Sequence, residues 1–515
     1  MVGRAGQILA VALLLLLAGC HAARRNGSQA GTQTVVVAIE NSPNSLDPRV
    51  GTDAAAERID GLLFDALVKK DEHFEMKPWL ATSWEQPDPL TWVFHLRDGV
   101  RFHDGRPLTA EDVAWTIESL RGVSLLTSKS GGFAHVARAE ATDRLTLTVR
   151  MSAPDASLLF NLSDGLFGVV PKGAGKEFWR DPVGSGPFRF VSAAQDREVV
   201  VARNGAYWGG APKIERVRFA VIPDTVTVAL ELEKGTVDIA SNELTLDMVH
   251  ALEGRPGLKT ETDEGSPVMY LNFNVARGPL ADRRVRQAIA CALDRQAIVD
   301  AVWRGRARLA ETLLPAGHWA EAPASLLAQW PYDPARARAL LDAAGYRPDA
   351  HGVRLRLEMK TSQDETTRLL AEILESQLAA AGIQLTLRAS EFGTFFSDVS
   401  GGRFEMYALR WIGSNEDPDI FRYAYGSDRF PPKGGNRGHY SNPRVDALLA
   451  AAAATTDETV RRADYLQVEE ILAEDLPSIP LWYPNNEVVH TTRVEGIVPR
   501  VDGSFGFLRD AWVGW

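Results

Sequence analysis

The chain has 515 residues, with 56 Lys and Arg against 67 Asp and Glu and a net charge of −11 spread along its length. That length exceeds the roughly 250–300 residues at which a single core stops growing, so at least two domains are expected, and the acidic balance with no basic stripe argues against a nucleic-acid binder. Its two cysteines, Cys20 and Cys291, are too few for a disulfide framework or a thiolate metal site.

The first element is a secretory signal. Arg4 supplies a positive start, Ile8 to Ala18 form an apolar run, and Leu17-Ala18-Gly19-Cys20 closes it with small residues before a cysteine. The run is shorter than the roughly 20 residues of a membrane span, which favours a cleaved signal. Residues 1–19 then read as a lipoprotein signal peptide and Cys20 as the lipid-bearing N-terminus. The alternative is an ordinary signal cleaved elsewhere, with Cys20 incidental. Residues 20–33, polar and rich in Gly and Ser, read as a tether, and no later stretch is apolar for long enough to cross a bilayer.

Thr34 to Ile39 is a β-branched run that stops at the turn Asn41-Ser42-Pro43, so a strand is expected there. Thr109 heads a helix with Asp112 at the capping-box position. Gly184-Ser185-Gly186-Pro187-Phe188 superficially resembles a phosphate loop, but Pro187 lacks an N–H and no Lys follows, so a tight turn is the better account. Val285, Ala288, Ile289, Ala292 and Leu293 form an apolar helical stripe, and Cys291 beside it reads as a small buried hydrophobe. Asp333 and Pro334 open another helix that Gly345 ends. Alternation at Val353, Leu355, Leu357 and Met359, helical spacing from Leu369 to Leu378, a stop at Gly382 and alternation at Ile383, Leu385 and Leu387 predict a βαβ unit with parallel strands. The class is therefore α/β.

Catalytic signatures are missing. The sequence has no GxSxG elbow, HExxH, P-loop or dinucleotide fingerprint, and its ten histidines are scattered singly. No cofactor and no metal site are expected. Paired carboxylates of a secreted hydrolase cannot be read from spacing alone, so that class stays open at this point.

Several segments in order resemble one family, the large extracytoplasmic solute-binding proteins (family 5) of the oligopeptide, dipeptide and nickel importers. They are Leu80 to Leu120 with Trp84, Trp92, Phe102-His103-Asp104-Gly105 and Leu108 to Val113; Val183 to Phe190 with its Gly-x-Gly-Pro turn; Tyr270 to Arg295; the Tyr332 to Tyr346 stretch; and the run from Tyr440 through Asn486. The resemblance covers essentially all of the mature chain. It implies a two-lobed periplasmic binding protein fold of the class with an extra subdomain, having a discontinuous first lobe, a hinge and a central cleft. The first lobe is expected over 34–266 and again over 488–515, with the extra subdomain at about 61–173, and the second lobe over 267–487. It further implies a monomer that captures a peptide or peptide-like solute, closes around it by a hinge motion, and passes it to an ABC permease and ATPase at the membrane to which the lipid holds it.

The ligand-binding residues implied are Trp411, Ser414, Asn415, Glu416 and Asp417, within Arg410 to Asp419. Peptide binders of the family place an Asp three residues after this Trp to hold the ligand's ammonium, and here that position is Ser414. A hydroxyl cannot supply the charge that a buried ammonium needs. Either Glu416, Asp417 or Asp419 reaches the amine instead, or the ligand lacks one; the plainer reading of Asp417 and Asp419 is that they frame a turn at Pro418. Trp411 offers a flat apolar wall. A nickel complex or haem-like solute is the alternative ligand, although a lone His439 falls short of the several donors a metal site uses. A relative that signals or acts as a chaperone without importing is a third reading.

Overall fold

The structure, a computed structural model, describes residues 34–514 except 123, 124, 126, 364 and 432, and leaves the side chains of 128, 365, 366 and 414 undescribed. The signal, Cys20 and the tether lie outside the described residues.

Thr34–Ile39 forms a central strand because its Val-rich sequence tolerates cover on both faces. It pairs in parallel with Arg216–Val221 on one side and Ile239–Ser241 on the other. The seven-stranded sheet around it is completed by Glu198–Arg203 and Phe188–Ala194 at one edge and by Leu258–Asp263 at the other. One of its strands, Asn486–Thr491, comes from far along the chain and lies antiparallel between Leu258–Asp263 and Ile239–Ser241.

A second, six-stranded sheet runs Ala307–Leu309, Ser478–Pro484, Val268–Phe273, Met406–Trp411, Leu355–Ser362 and Ile383–Ser390. It contains the expected βαβ unit: Leu355–Ser362 pairs in parallel with Ile383–Ser390 across the helix Glu365–Ala380, and Gly382 takes φ +83° at the helix stop. The caps read from sequence form as well. Asp333 accepts from the Arg336 N–H at 2.9 Å, and Asp112 accepts from the Thr109 N–H at 2.9 Å.

The helix Arg283–Ala292 is more deeply set than its stripe suggests. Cys291 is buried as expected, but Arg286 and Gln287 are buried too. Their burial is permitted because the Arg286 guanidinium donates to the carbonyls of Leu476 at 2.9 Å and Leu280 at 2.8 Å, and Gln287 donates to the Glu474 carbonyl at 2.9 Å.

A third sheet is antiparallel, ordered Ala81–Asp88, Thr91–Leu96, Thr146–Met151 and Val136–Ala141, and the helix Ala110–Arg121 packs on it. Trp92, Phe94, Val113, Ile117 and Leu147 give this unit its own core. The turn at Gly184 locks it to the first sheet's helix Ala54–Leu63, hereafter α1. A Cβ on Gly184 would meet the Leu63 carbonyl oxygen at 1.9 Å, so glycine is needed there for close approach, not for phosphate.

The first and second sheets are the bodies of two lobes, and the chain passes between them twice. It leaves the first sheet at Asp263 and enters the second at Val268; it leaves the second at Pro484 and re-enters the first at Asn486. The two crossings touch, since a Cβ on Gly265 would lie 2.3 Å from the Pro484 carbonyl oxygen. Asn486 ties the crossing to the C-terminal segment by donating to the Arg500 and Val501 carbonyls at 2.8 and 2.9 Å.

Candidate functional site

The loop after Met406–Trp411 turns at Gly413, with φ +72°, and coils into a short 3-10 turn, Ser414–Glu416. Its side chains reach across the lobe boundary. Asn415 is fully buried and donates to the Ser266 carbonyl at 2.6 Å and the Leu313 carbonyl at 3.1 Å, which pins the loop to the first crossing. Glu416 forms a buried ion pair with Lys70 at 2.6 Å and accepts from the Ser266 hydroxyl at 2.7 Å. Burial opposes the Lys70 charge, but Glu416, with Asp164 and Asp502, outweighs it and holds this lysine above its ordinary range.

Two further contacts reinforce the boundary. The His318 ring stacks on Phe74 at 5.5 Å between centroids. His318 Nδ1 accepts from the Ala320 N–H at 3.0 Å, so its proton sits on Nε2 and faces the Glu416 carbonyl at 3.2 Å. Burial pushes this imidazole down to about 3, in keeping with a neutral ring. Asp417 accepts from the Asp419 N–H at 2.7 Å across Pro418 and from the Ser157 hydroxyl at 3.4 Å. Burial, then the neighbouring Asp417, pushes Asp419 up to about 7.

Lys70 and Phe74 also line a cavity of about 510 Å³ in the first lobe, bounded by α1, the Asp164 loop and the C-terminal segment from Val498 to Arg509. That volume suits a small solute. Its walls mix apolar side chains such as Phe64, Phe74 and Leu166 with several acids and lysines. Asp65 is the best-satisfied acid there, accepting from Trp79 Nε1 at 2.9 Å, Trp208 Nε1 at 3.0 Å, the Tyr207 hydroxyl at 2.9 Å and the Ser185 hydroxyl at 2.8 Å. Asp60 lines the same cavity with neither oxygen hydrogen-bonded among the described residues. Burial, eased by Lys129, pushes nearby Glu57 up to about 7.

Trp411 stands at the end of its strand, half-buried, stacked on Tyr270 at 5.3 Å and met edge-on by Tyr423 at 5.9 Å. The Arg437 guanidinium lies 5.5 Å from its ring centroid. Among the described residues no group of three or more His, Cys, Asp or Glu is arranged to hold a metal ion, and His439 packs on Phe430 at 4.8 Å.

Residues 75–431 match the bacterial extracellular solute-binding proteins, family 5 Middle. The chain belongs to that family. It is 29% identical over 506 residues to di/tripeptide-binding protein 1 of Pseudomonas aeruginosa, covering 90% of this chain and 93% of that one. Among solved structures it resembles NikZ from Campylobacter jejuni in complex with Ni(L-His), with a TM-score of 0.78 and 26% identity over 93% of this chain and 99% of that one. It is also similar to the periplasmic binding protein DppA from Helicobacter pylori in complex with the peptide STSA, with a TM-score of 0.75 and 26% identity over 93% and 98% of the two chains.

As a family 5 solute-binding protein the chain is a binder and not an enzyme, its fold is the two-lobed one, and its family implies a peptide or other small solute as ligand and an ABC transporter as partner. No helix among the described residues is long and apolar enough to cross a membrane.

Of the residues singled out in sequence, Asn415, Glu416 and Asp417 come together at the lobe boundary, where the Asn415 amide nitrogen and the Glu416 and Asp417 carboxylates are hydrogen-bonded and the Asn415 Oδ1 is not, Trp411 stands apart in an aromatic cluster, and the Ser414 side chain lies outside the described residues. Motif reading missed Asp60, Glu57, Lys70 and Asp65. A signal existed for one of them: Asp60 falls in the stripe Ala56, Ile59, Asp60, Leu63, where helical spacing calls for an apolar residue.

Proposed function

We propose that this chain is a lipid-anchored extracytoplasmic receptor that captures a peptide or peptide-like solute between its lobes and delivers it to an ABC permease and ATPase. In this reading Cys20 carries the lipid, residues 34–266 and 488–515 form the first lobe with an extra subdomain over 61–173, residues 267–487 form the second lobe, and the protein acts as a monomer. Trp411 provides an apolar wall for the solute, while the loop from Ser414 to Asp417 sets the closed position of the second lobe.

One observation carries this reading. Lys70 and Phe74 face the cavity and also clasp the second lobe, through Glu416 and His318. Enclosure and closure thus share residues, and a solute in the cavity has a route to favour the closed form, which is the differential affinity that signalling to a transporter requires. Native mass spectrometry of protein taken from its own periplasm should find a bound small solute at unit stoichiometry, and small-angle scattering of stripped protein should contract when that solute is restored. Stripped and loaded protein with the same scattering profile would overturn the closure reading. Loss of palmitate labelling in Cys20→Ser tests the anchor.

A non-peptide solute is the second reading. It is favoured by Ser414 standing where peptide binders of the family carry an acid.

A further inference from the structure

Three arginines alternate in Trp303-Arg304-Gly305-Arg306-Ala307-Arg308, which joins the helix Arg295–Val302 to the strand Ala307–Leu309 at the edge of the second sheet. All three meet acids across the lobe boundary. Arg304 pairs with Asp247 at 2.6 Å, in the first-lobe helix Leu246–Leu252. Arg306 pairs with Glu253 at the end of that helix and with Glu487 at 2.5 Å, and donates to the Thr262 hydroxyl at 3.0 Å. Arg308 lies 3.6 Å from Glu264 in the first crossing. Thr262 and Glu487 belong to strands of the first sheet, and none of these residues lines the 510 Å³ cavity.

The turn that presents these arginines is tightly constrained. The Arg306 N–H donates to the Trp303 carbonyl at 2.7 Å, and both residues between them have positive φ, +50° at Arg304 and +76° at Gly305. Glycine adopts that backbone freely, whereas an arginine there is strained and keeps the conformation only when its surroundings impose it. The Arg306 carbonyl accepts from the Asn485 N–H at 3.0 Å, which fixes the turn to the second crossing. Arg304 and Asp247 are exposed, and a surface pair of this kind contributes little alone. Arg306 is different. Its side chain is only 19% exposed and that of Glu487 7%, and the Thr262 hydroxyl donates on to Glu487 at 2.7 Å, so a largely enclosed network joins the two lobes.

On the cleft side the lobes already touch: the Thr456 hydroxyl donates to Gln86 at 2.7 Å, Ser157 meets Asp417, and Lys70 meets Glu416. From this angle they can separate but not approach further. Contacts that exist at one lobe angle and are lost at another favour the first. We propose that Arg304, Arg306 and Arg308 form a latch, apart from the solute's cavity, that holds the lobes at this closed angle before any solute arrives. The inference rests on the hinge closure proposed above and adds a control that the solute does not touch. The closed fraction scales the apparent affinity of whatever the closed form binds, so the latch tunes capture without taking part in recognition. Its pairs at Arg304 and Arg308 reach solvent, which ties the balance to ionic strength.

The test is the distance between spin labels at Val226→Cys and Thr394→Cys, in the first turns of the helices Thr225–Lys234 and Phe392–Ser400, one on each lobe. The protein is the Cys20→Ser chain stripped of solute by unfolding and refolding, and Cys291 is buried out of label reach. Asp247→Asn/Glu253→Gln takes away the first-lobe end of the latch and leaves Arg306 paired with Glu487. It should melt as wild type does and lower the ratio of short to long distances at least about threefold. Arg306→Met should lower it further; should that variant fail to fold, the double variant decides. Raising NaCl from about 0.1 M to about 1 M, which cuts the screening length from about 10 to about 3 Å, should move wild type the same way and leave Arg306→Met unchanged. Lys70→Met/Glu416→Leu removes the cleft-side clasp and keeps the outcomes apart. If it lengthens the distance while the latch variants do not, or if they shorten it, hinge closure stands and the latch is overturned. If neither salt nor any variant changes the distance, the lobes do not hinge, and the closure reading falls with the latch.

Discussion

Two acidic segments flank the boundary between the lobes, and they are in opposite states. In the loop from Ser414 to Asp419, Glu416 and Asp417 have partners across or along the chain, and the Asn415 amide nitrogen donates to the Ser266 and Leu313 carbonyls. On α1, Glu57 and Asp60 lie along a cavity without hydrogen-bonded donors among the described residues. The same residue type is therefore hydrogen-bonded in one place and left without a donor in the other. What separates them is whether the fold has already supplied a donor, which no local motif reports.

The comparison can be broken most directly at Lys70. Lys70→Met should leave Glu416 buried without its cation and cost about 3–5 kcal/mol in urea unfolding, with most of it recovered in the double variant Lys70→Met/Glu416→Leu. A harmless Lys70→Met would mean that Glu416 is not committed after all. Asp65 sharpens the contrast from within the cavity wall, because four donors converge on it. Asp65→Ala should cost about 3 kcal/mol in the same assay, where Asp60→Asn costs nothing.

The next effect depends on pH. His318 titrates at about 3 when folded, below the 6.5 of an unperturbed histidine. The unfolded chain therefore binds a proton that the folded one refuses as pH falls below 6.5, so the contribution of His318 is full above that value and shrinks towards pH 3. Wild type should lose about 2 kcal/mol between pH 7 and pH 5 that His318→Gln does not lose. Glu469, pushed up to about 8 by burial, works in the other direction, losing its contribution as pH rises through that value. It is present in both proteins, so the difference between their pH profiles reports His318 alone.

The smallest expected effect concerns affinity. Ser414→Asp should raise the preference for trialanine over its acetylated form by about tenfold, measured by calorimetry, if this position faces the amine of a bound peptide. No gain would mean that this position does not face the amine.

Much of the architecture was legible in the residues because it is encoded at short range. The β-branched run at Thr34–Ile39, the βαβ spacing from Leu355 to Ser390 with its stop at Gly382, and the caps at Thr109 and Asp333 depend on neighbours within a few positions. Resemblance extended that reach to the family and the two-lobed form. The loop at Trp411 was found the same way, through a motif whose acid is absent from this chain.

The tertiary structure alone decided which charges are spoken for. Lys70 and Glu416 are separated by 346 positions, as are Asp417 and Ser157 by 260, and neither pair has any spacing that sequence reading can recognise. Sequence determined where acids occur and which segments are helix or strand, because those follow from side-chain chemistry and local periodicity. Whether a given acid is buried, paired or left facing a cavity depends on which distant segments the fold brings within about 3 Å of it, a distance over which hydrogen bonds and ion pairs form or fail.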